Sequence, residues 1–423
     1  MLRSSLVACG LGMGLFFLSW IATPAQTGDS SDAQPASAAD AGQGEGILAR
    51  GQYLADAANC YSCHTRAGGV PFSGGVAFET PFGRIYSTNI TPDGTTGIGS
   101  WKEDDLRRAM HEGIAADGSH LFPAFPYPSY TKVEDADVAA IYAYLRSLQP
   151  ASYTPPKNGL LFSQRWALAI WNALFFKSGR FVPDTSQSTE WNRGAYLTAG
   201  LGHCGACHTP RNVFMAELSD KAYEGGVVMD RVAENKVRRW SAVNLTSAKH
   251  GLGSWSVDAL AKYLHTGFSP RGGAFGPMNE VIVNSLVKLT AEDAKAMAVY
   301  LKSLPGREYM GQSVSAEQAE AGAALYEKRC EECHTASGRG GIFSAPPLAG
   351  SAIVQAEDPS SLLNVILHGP ATAEAVSYGG WETMKSFGDV LEDAEVAAVS
   401  NYVRGSWGNV GRAVTADEVA RQR

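Results

Sequence analysis

Three copies of one five-residue pattern govern what this chain can fold into. Cys60-Tyr61-Ser62-Cys63-His64, Cys204-Gly205-Ala206-Cys207-His208 and Cys330-Glu331-Glu332-Cys333-His334 each set two cysteines three positions apart and follow them with histidine. Of seven cysteines only Cys9 lies outside them. The patterns are 144 and 126 residues apart in a chain of 423. That spacing suits separate units better than one cluster, since domains run to roughly 100–200 residues.

The flanks repeat too. Arg50-Gly51-Gln52-Tyr53-Leu54 returns as Arg193-Gly194-Ala195-Tyr196-Leu197, and Gly97-Ile98-Gly99-Ser100-Trp101 as Gly251-Leu252-Gly253-Ser254-Trp255. Each unit closes on an apolar helical pattern, over 135–148, 291–304 and 392–404, with Thr290 as N-cap of the second. Gly51, Gly194 and Gly322 stand 8–10 residues before their first cysteine, where a missing side chain would let two helices cross closely. Gly and Pro fill the middles and strand signals are weak. The expected fold is mainly α: three small tandem units over 47–150, 188–306 and 312–409, a linker over 151–187 and a polar tail over 410–423. Units with so much loop lack the apolar mass to fill their own centres.

The chemistry of the motif supplies that mass. Two thiols at this spacing can add to the two vinyl groups of one haem, and the adjacent histidine then reaches the iron, which is the attachment signature of haem c. A zinc ribbon needs pairs of pairs, and three is odd. A thioredoxin-like site uses one Cys-x-x-Cys on an α/β pattern that is missing here. Structural disulfides would not need three histidines. The units therefore read as cytochrome c domains with three covalently bound haem c groups, on Cys60/Cys63, Cys204/Cys207 and Cys330/Cys333, with His64, His208 and His334 on the irons.

A sixth ligand should come from later in each unit. Met278, in Phe275-Gly276-Pro277-Met278, and Met384, in Thr383-Met384-Lys385-Ser386, both stand in loops just before a closing helix. Met297 lies on a closing helix and reads as core. Unit 1 departs from the pattern, because the slot of Met278 holds Ala124-Phe125 and phenylalanine cannot bind iron. His120 has no counterpart in unit 2, where Ala274 aligns, and is the leading candidate. Met110 and an open site stay as alternatives. His111 has the counterpart His265 and reads as structural.

The N-terminus reads as an export signal over 1–25: Arg3, an apolar run over 6–21, then the small residues Ala22-Thr23-Pro24-Ala25. A retained anchor and a lipid-bearing Cys9 are the lesser alternatives. Residues 26–46 hold no aromatic and read as a disordered leader. The net charge of −7 offers no nucleic-acid surface and would be repelled by anionic lipid, so membrane contact would have to be hydrophobic. The candidate is the segment 159–181, dense in Trp, Leu and Phe and flanked by Arg165, Lys177 and Arg180. Packing between units is the alternative.

At this point the chain resembles the triheme cytochrome c subunits of membrane-bound bacterial dehydrogenases for alcohols, aldehydes, gluconate, sugar acids and polyols. The resemblance covers nearly the whole mature chain. It rests on the three motifs and on Tyr86-Ser87-Thr88-Asn89-Ile90-Thr91-Pro92-Asp93, Pro126-Tyr127-Pro128-Ser129-Tyr130-Thr131, Gln164-Arg165-Trp166, Trp171-Asn172 and Ser406-Trp407-Gly408-Asn409. It implies a large partner subunit of quinoprotein, flavin or molybdenum type and leaves room for a small third subunit. Electrons would pass through the haems to ubiquinone, at the periplasmic face of the inner membrane, with peripheral attachment and no organic oxidation by this chain alone. The family's first methionine usually stands at Phe125. Versions with Phe resemble those paired with molybdenum-type aldehyde or heteroaromatic dehydrogenases. A haem enzyme open at haem 1 and a soluble shuttle are the competing functions.

Overall fold

The computed structural model describes residues 38–160, 165–233, 236–307, 312–341, 343–374 and 376–423. The expected signal over 1–25 lies outside them, as does the leader up to residue 37. The chain divides after Gly42, and the architecture below is that of residues 43–423.

Each C-x-x-C-H turn sits between an opening and a closing helix. The opening helices are Ala38–Ala57, Thr189–Tyr196 and the pair Ala316–Glu320 and Ala323–Arg329; the closing ones are Asp135–Ser147, Ala291–Ser303 and Asp393–Gly405. Caps fix their starts. Ser188 Oγ accepts from Trp191 N, Thr290 Oγ1 from Asp293 N, and Ser315 forms a capping box with Gln318. The helix Ala38–Ala57 takes in 43–46, the end of the expected leader.

The three glycines do mark close crossings. A methyl on Gly51 would lie 2.7 Å from the Ala140 carbonyl carbon and 2.8 Å from Tyr144 Cβ; on Gly322, 2.6 Å from the Ala398 carbonyl carbon. On Gly194 it would overlap the Ala296 carbonyl. Opening and closing segments therefore meet backbone to backbone, at the same place in each repeat.

Units 1 and 2 do not have separate cores. One apolar cluster runs through Leu54, Ile141 and Leu145 of the first and Leu197, Leu264, Met297 and Leu301 of the second. Unit 3 has its own cluster around Tyr326, Leu363, Val396 and Val403. The Arg-Gly-x-Tyr-Leu repeat explains how the first two units join. Within each unit the arginine pairs with an aspartate on the closing helix, Arg50 with Asp137 and Arg193 with Asp293. Each tyrosine crosses to the other unit's aspartate at 2.5 Å: Tyr53 Oη to Asp293 Oδ2, Tyr196 Oη to Asp137 Oδ2. The result is a reciprocal, pseudo-twofold joint.

Strands are more important than their weak signals suggested. Ala77–Thr80 and Gly83–Tyr86 of unit 1 and Gly159–Leu160 of the linker form an antiparallel sheet; Gly226–Ala233 and Lys236–Ala242 form a long hairpin in unit 2; Phe268–Ser269 and Gly272–Gly273 a short one. The long hairpin is mortar between units. Its Arg231 pairs with Glu79 of unit 1, its Arg239 with Asp358 of unit 3, and Ser241 N donates to Ser361 Oγ at 2.9 Å. Among the described residues the fold is accordingly mainly α with three small antiparallel elements. The expected polar tail over 410–423 also folds back. Thr415 caps a helix over Ala416–Ala420, Val414 and Val419 are buried in the third unit's cluster, and Arg423 pairs with Asp393.

Candidate haem-binding sites

Each C-x-x-C-H segment folds as a single short helical turn: Cys60–His64, Gly205–His208 and Glu331–His334. Residues just before or after each turn take positive φ: Asn59 (50°), His203 (36°) and Thr335 (64°). Such conformations cost energy in non-glycine residues and persist where surroundings hold them. The turn puts both cysteines and the histidine on one side.

All three histidines are clamped alike. The Nδ1 of His64 lies 2.7 Å from the Thr88 carbonyl oxygen, that of His208 2.7 Å from Val243 O, and that of His334 3.1 Å from Pro346 O. A carbonyl only accepts, so Nδ1 carries the proton and Nε2 presents a lone pair. This is the tautomer a metal ligand needs, with a backbone oxygen raising the basicity of the ring. Burial lowers the pKa of each histidine, against the opposing backbone bond, which keeps the imidazole neutral.

The sequence reading missed the clamp. Thr88-Asn89-Ile90-Thr91 and Val243-Asn244-Leu245-Thr246 are one turn used twice. Asn89 Oδ1 accepts from Thr91 N (2.9 Å) and Oγ1 (2.7 Å), and Asn244 Oδ1 from Thr246 N (2.7 Å) and Oγ1 (2.6 Å). The carbonyl just before each asparagine holds the histidine. The repeated x-Asn-x-Thr was the available signal.

The cysteines are not built for thiolate chemistry. Burial pushes the thiols of Cys60, Cys63 and Cys204 up to about 12 and that of Cys330 to about 11. Thiol redox sites need the reverse, a lowered pKa. Among the described residues no group of three or more His, Cys, Asp or Glu side chains converges as a metal cluster would. No disulfide joins these six cysteines; five are half-buried and Cys207 is exposed. Turns of this form, with neutral imidazoles aimed through Nε2 and thiols bordering apolar clusters, fit covalent haem c.

Met278 is the second residue of helix Pro277–Asn284, whose entry turns on Gly276 (φ 56°). It is half-buried against the same apolar cluster as Cys204. Met384 and Cys330 are likewise half-buried together against the third unit's cluster. Each methionine thus lines an apolar cluster that a motif cysteine also borders, Cys60 as well as Cys204 in the case of Met278. In unit 1 that place is taken by Phe125, which packs on Tyr130 with ring centroids 5.3 Å apart; Tyr130 Oη donates to Ala58 O at 2.8 Å, beside the first motif. His120 closes a turn against Ile114, with its ring against the helix Trp166–Phe175. Met110 and Met297 are fully buried core, and His111 is completely buried 3.6 Å from Asp135.

The units' sites also adjoin. Ser62, inside the first motif, accepts from Asn284 Nδ2 of the Met278 helix at 2.9 Å. Cys63 is raised by burial and then by its proximity to Cys207. Tyr130 packs edge-on to His203, which precedes Cys204, with centroids 5.5 Å apart. On the other side, the segment leading into the Met278 helix meets unit 3: Gly276 N donates to Ala371 O at 3.0 Å and Tyr378 Oη to Ala274 O at 2.8 Å.

Comparison with known proteins agrees with this geometry. Residues 48–149 match the cytochrome c family model, and residues 317–403 that of cbb3-type cytochrome c oxidase subunit III. The chain is 39% identical over 409 residues to the gluconate 2-dehydrogenase cytochrome c subunit of Pantoea cypripedii, covering 92% of each chain. It is 41% identical over 368 residues to a subunit of the nicotinate dehydrogenase of Pseudomonas putida, a match that takes in 85% of this chain but 30% of that longer protein. Identity to the cytochrome c subunit of the quinone-type alcohol dehydrogenase of Gluconobacter oxydans is 36%, over 86% of this chain and 79% of that one. The chain belongs to the family of dehydrogenase cytochrome c subunits, haem c proteins that transfer electrons rather than oxidise an organic substrate themselves.

Proposed function

We propose that this chain carries three covalent haem c groups, one in each of three tandem cytochrome c domains, and passes electrons from a partner dehydrogenase to ubiquinone. The observation that carries the proposal is the thrice-repeated clamp, an imidazole tied through Nδ1 to a backbone carbonyl and adjacent to two thiols. Bound haem iron supplies one-electron redox chemistry. The protein's part is to attach, ligate and space the groups. Met278 and Met384 serve as sixth ligands in units 2 and 3 and His120 in unit 1. Ligation on both faces favours transfer over substrate binding. The contacts of Ser62 with Asn284 and of Tyr378 with Ala274 favour a run of haems in chain order.

The partner follows from the relatives. Phe125 in place of methionine, together with 41% identity to a nicotinate dehydrogenase subunit, favours a molybdenum-type dehydrogenase for a heteroaromatic or aldehyde substrate. Gluconate- and alcohol-type partners are the second choice. We place the complex peripherally at the periplasmic face of the inner membrane after export. Among the described residues no helix is long and apolar enough to cross a membrane. The seat is the helix Trp166–Phe175, where Trp166 and Leu174 are 64% and 69% exposed on one stripe with Ile170. Val213 (82% exposed) and Phe214 extend it, Phe214 stacking on Phe175 at 5.8 Å. Of the expected cationic flanks, Arg165 and Arg180 are engaged within the protein, so the contact rests on apolar burial, at about 1.5–3 kcal/mol per large side chain.

Intact mass of the matured protein together with a pyridine haemochrome assay tests the central claim. Three haems per chain are expected, and two on replacing both cysteines of one motif. Two or fewer on the parent chain would refute it. Carbon monoxide added to the reduced protein should leave all three spectra unshifted; a shift of about one third would favour the reading with an open site at haem 1.

A further inference from the structure

The linker helix Trp166–Phe175 has a second face, turned toward unit 1. Arg165, just before it, donates through Nη1 to Ser119 Oγ at 2.9 Å and to His120 O at 3.1 Å. Inside the helix, the Asn172 amide lies against the His120 ring, with Nδ2 and Nδ1 3.4 Å apart. The other end of that amide, Oδ1, is 2.5 Å from Tyr127 Oη. Tyr127 is fully buried (0% exposed), and burial raises its pKa so that the phenol stays protonated. Both the backbone and the ring of His120 are thus held by one helix from outside the repeat. Unit 2 has no such arrangement, since Ala274 stands at the corresponding place.

We infer that Asn172 is the positioning residue for His120 and sets the reduction potential of the first haem; the inference rests on His120 being the sixth ligand there. An imidazole that gives its Nε2 lone pair to iron must keep its proton on Nδ1. The group facing Nδ1 must then accept. An amide offers a donor at one end and an acceptor at the other, in nearly the same space. Turned by half a revolution, Asn172 presents Oδ1 to Nδ1–H, and its Nδ2 donates to Tyr127 Oη, which accepts as readily as it donates. Ligation selects this orientation and Tyr127 satisfies it without moving. His64, His208 and His334 have a main-chain carbonyl in this role. At His120 the acceptor is a side chain on another element, so it can be varied without touching a ligand, a cysteine or the repeat's own backbone. A stronger acceptor makes the ring a better donor to iron and stabilises the oxidised form; a missing one does the reverse.

The experiment is a spectroelectrochemical titration of the full matured chain, with low-temperature electron paramagnetic resonance of each haem. Asn172→Asp should lower one of three midpoint potentials and Asn172→Ala should raise the same one, the other two staying put and all three haems attached. Tyr127→Phe, which leaves the acceptor but loosens its far end, should give a smaller rise and serves if an Asn172 variant fails to mature. A structural role alone would reduce yield or stability and leave the potentials in place. His120→Ala separates the two levels. If it changes one haem's resonance while the Asn172 and Tyr127 variants leave all potentials unchanged, the positioning role is overturned and the ligand stands. If His120→Ala changes no haem's spectrum, the ligand assignment falls and the inference with it.

Discussion

Gly51→Ala is the sharpest test of how the repeat is built, because two effects of known size predict opposite signs. Gly51 lies inside the helix Ala38–Ala57. Were the site open, alanine would stabilise by about 0.5–1 kcal/mol through helix propensity and a less flexible unfolded chain. The site is closed. The new methyl would stand 2.7 Å from the Ala140 carbonyl carbon and 2.8 Å from Tyr144 Cβ. Carbon contacts relax only at about 3.5–4.0 Å, so the two helices must part by close to 1 Å or the closing helix must bend. Overpacking of this kind costs about 1–3 kcal/mol, and here the obstruction is backbone, which cannot rotate away. A net loss of about 1–3 kcal/mol is expected. Gly46 is the matched control on the same helix, with nothing within 4 Å of its added methyl. Gly46→Ala should be neutral or stabilising by up to about 1 kcal/mol. Urea unfolding of the matured protein, followed by far-ultraviolet circular dichroism and haem absorbance, reads both. Gly194→Ala should repeat the loss in unit 2. A Gly51 variant as stable as the parent, or more so, would show that the crossing is loose and the reasoning wrong.

Three further outcomes are expected. Met278→His and Met384→His should each lower one potential and leave two, because methionine ligation raises the potential; an unchanged titration curve would remove that residue from the ligand set. Trp166→Glu with Leu174→Glu should release the complex from membranes or slow quinone reduction with every haem still attached, whereas undiminished membrane recovery would return the helix to a packing role. Burial raises the pKa of Asp293, but Arg193 and Tyr53 outweigh it and hold the carboxyl below its usual range. A depressed folded-state pKa adds stability that is complete above the unfolded value of about 3.9 and drains away as pH falls through the folded one. Acidification from about pH 5 should therefore loosen the joint of units 1 and 2, and Asp293→Asn should weaken the protein at pH 7 while shrinking the gap between pH 7 and pH 4 urea midpoints; an equal gap in both proteins would count against it.

The attachment pattern and the repeat could be read from the residues alone. Cys-x-x-Cys-His is a local pattern, and one helical turn suffices to bring its three side chains to one side, so no tertiary information was needed to read it. The closing helices and the crossing glycines were legible for the same reason, since period and spacing live within one element. What acts on these elements from a distance was not legible. Thr88, Val243 and Pro346 hold the histidines through backbone oxygens, which carry no side-chain signature. The exchange of Tyr53 and Tyr196 between units, the hairpin that binds unit 2 to both neighbours and the burial of Val414 and Val419 each depend on surfaces meeting only in the folded chain. The same holds for His120. The sequence could mark it as the histidine that gains a place where methionine is lost, but only the tertiary structure set Asn172 and Tyr127 behind its ring, because a hydrogen bond across 52 positions is decided by packing and not by pattern.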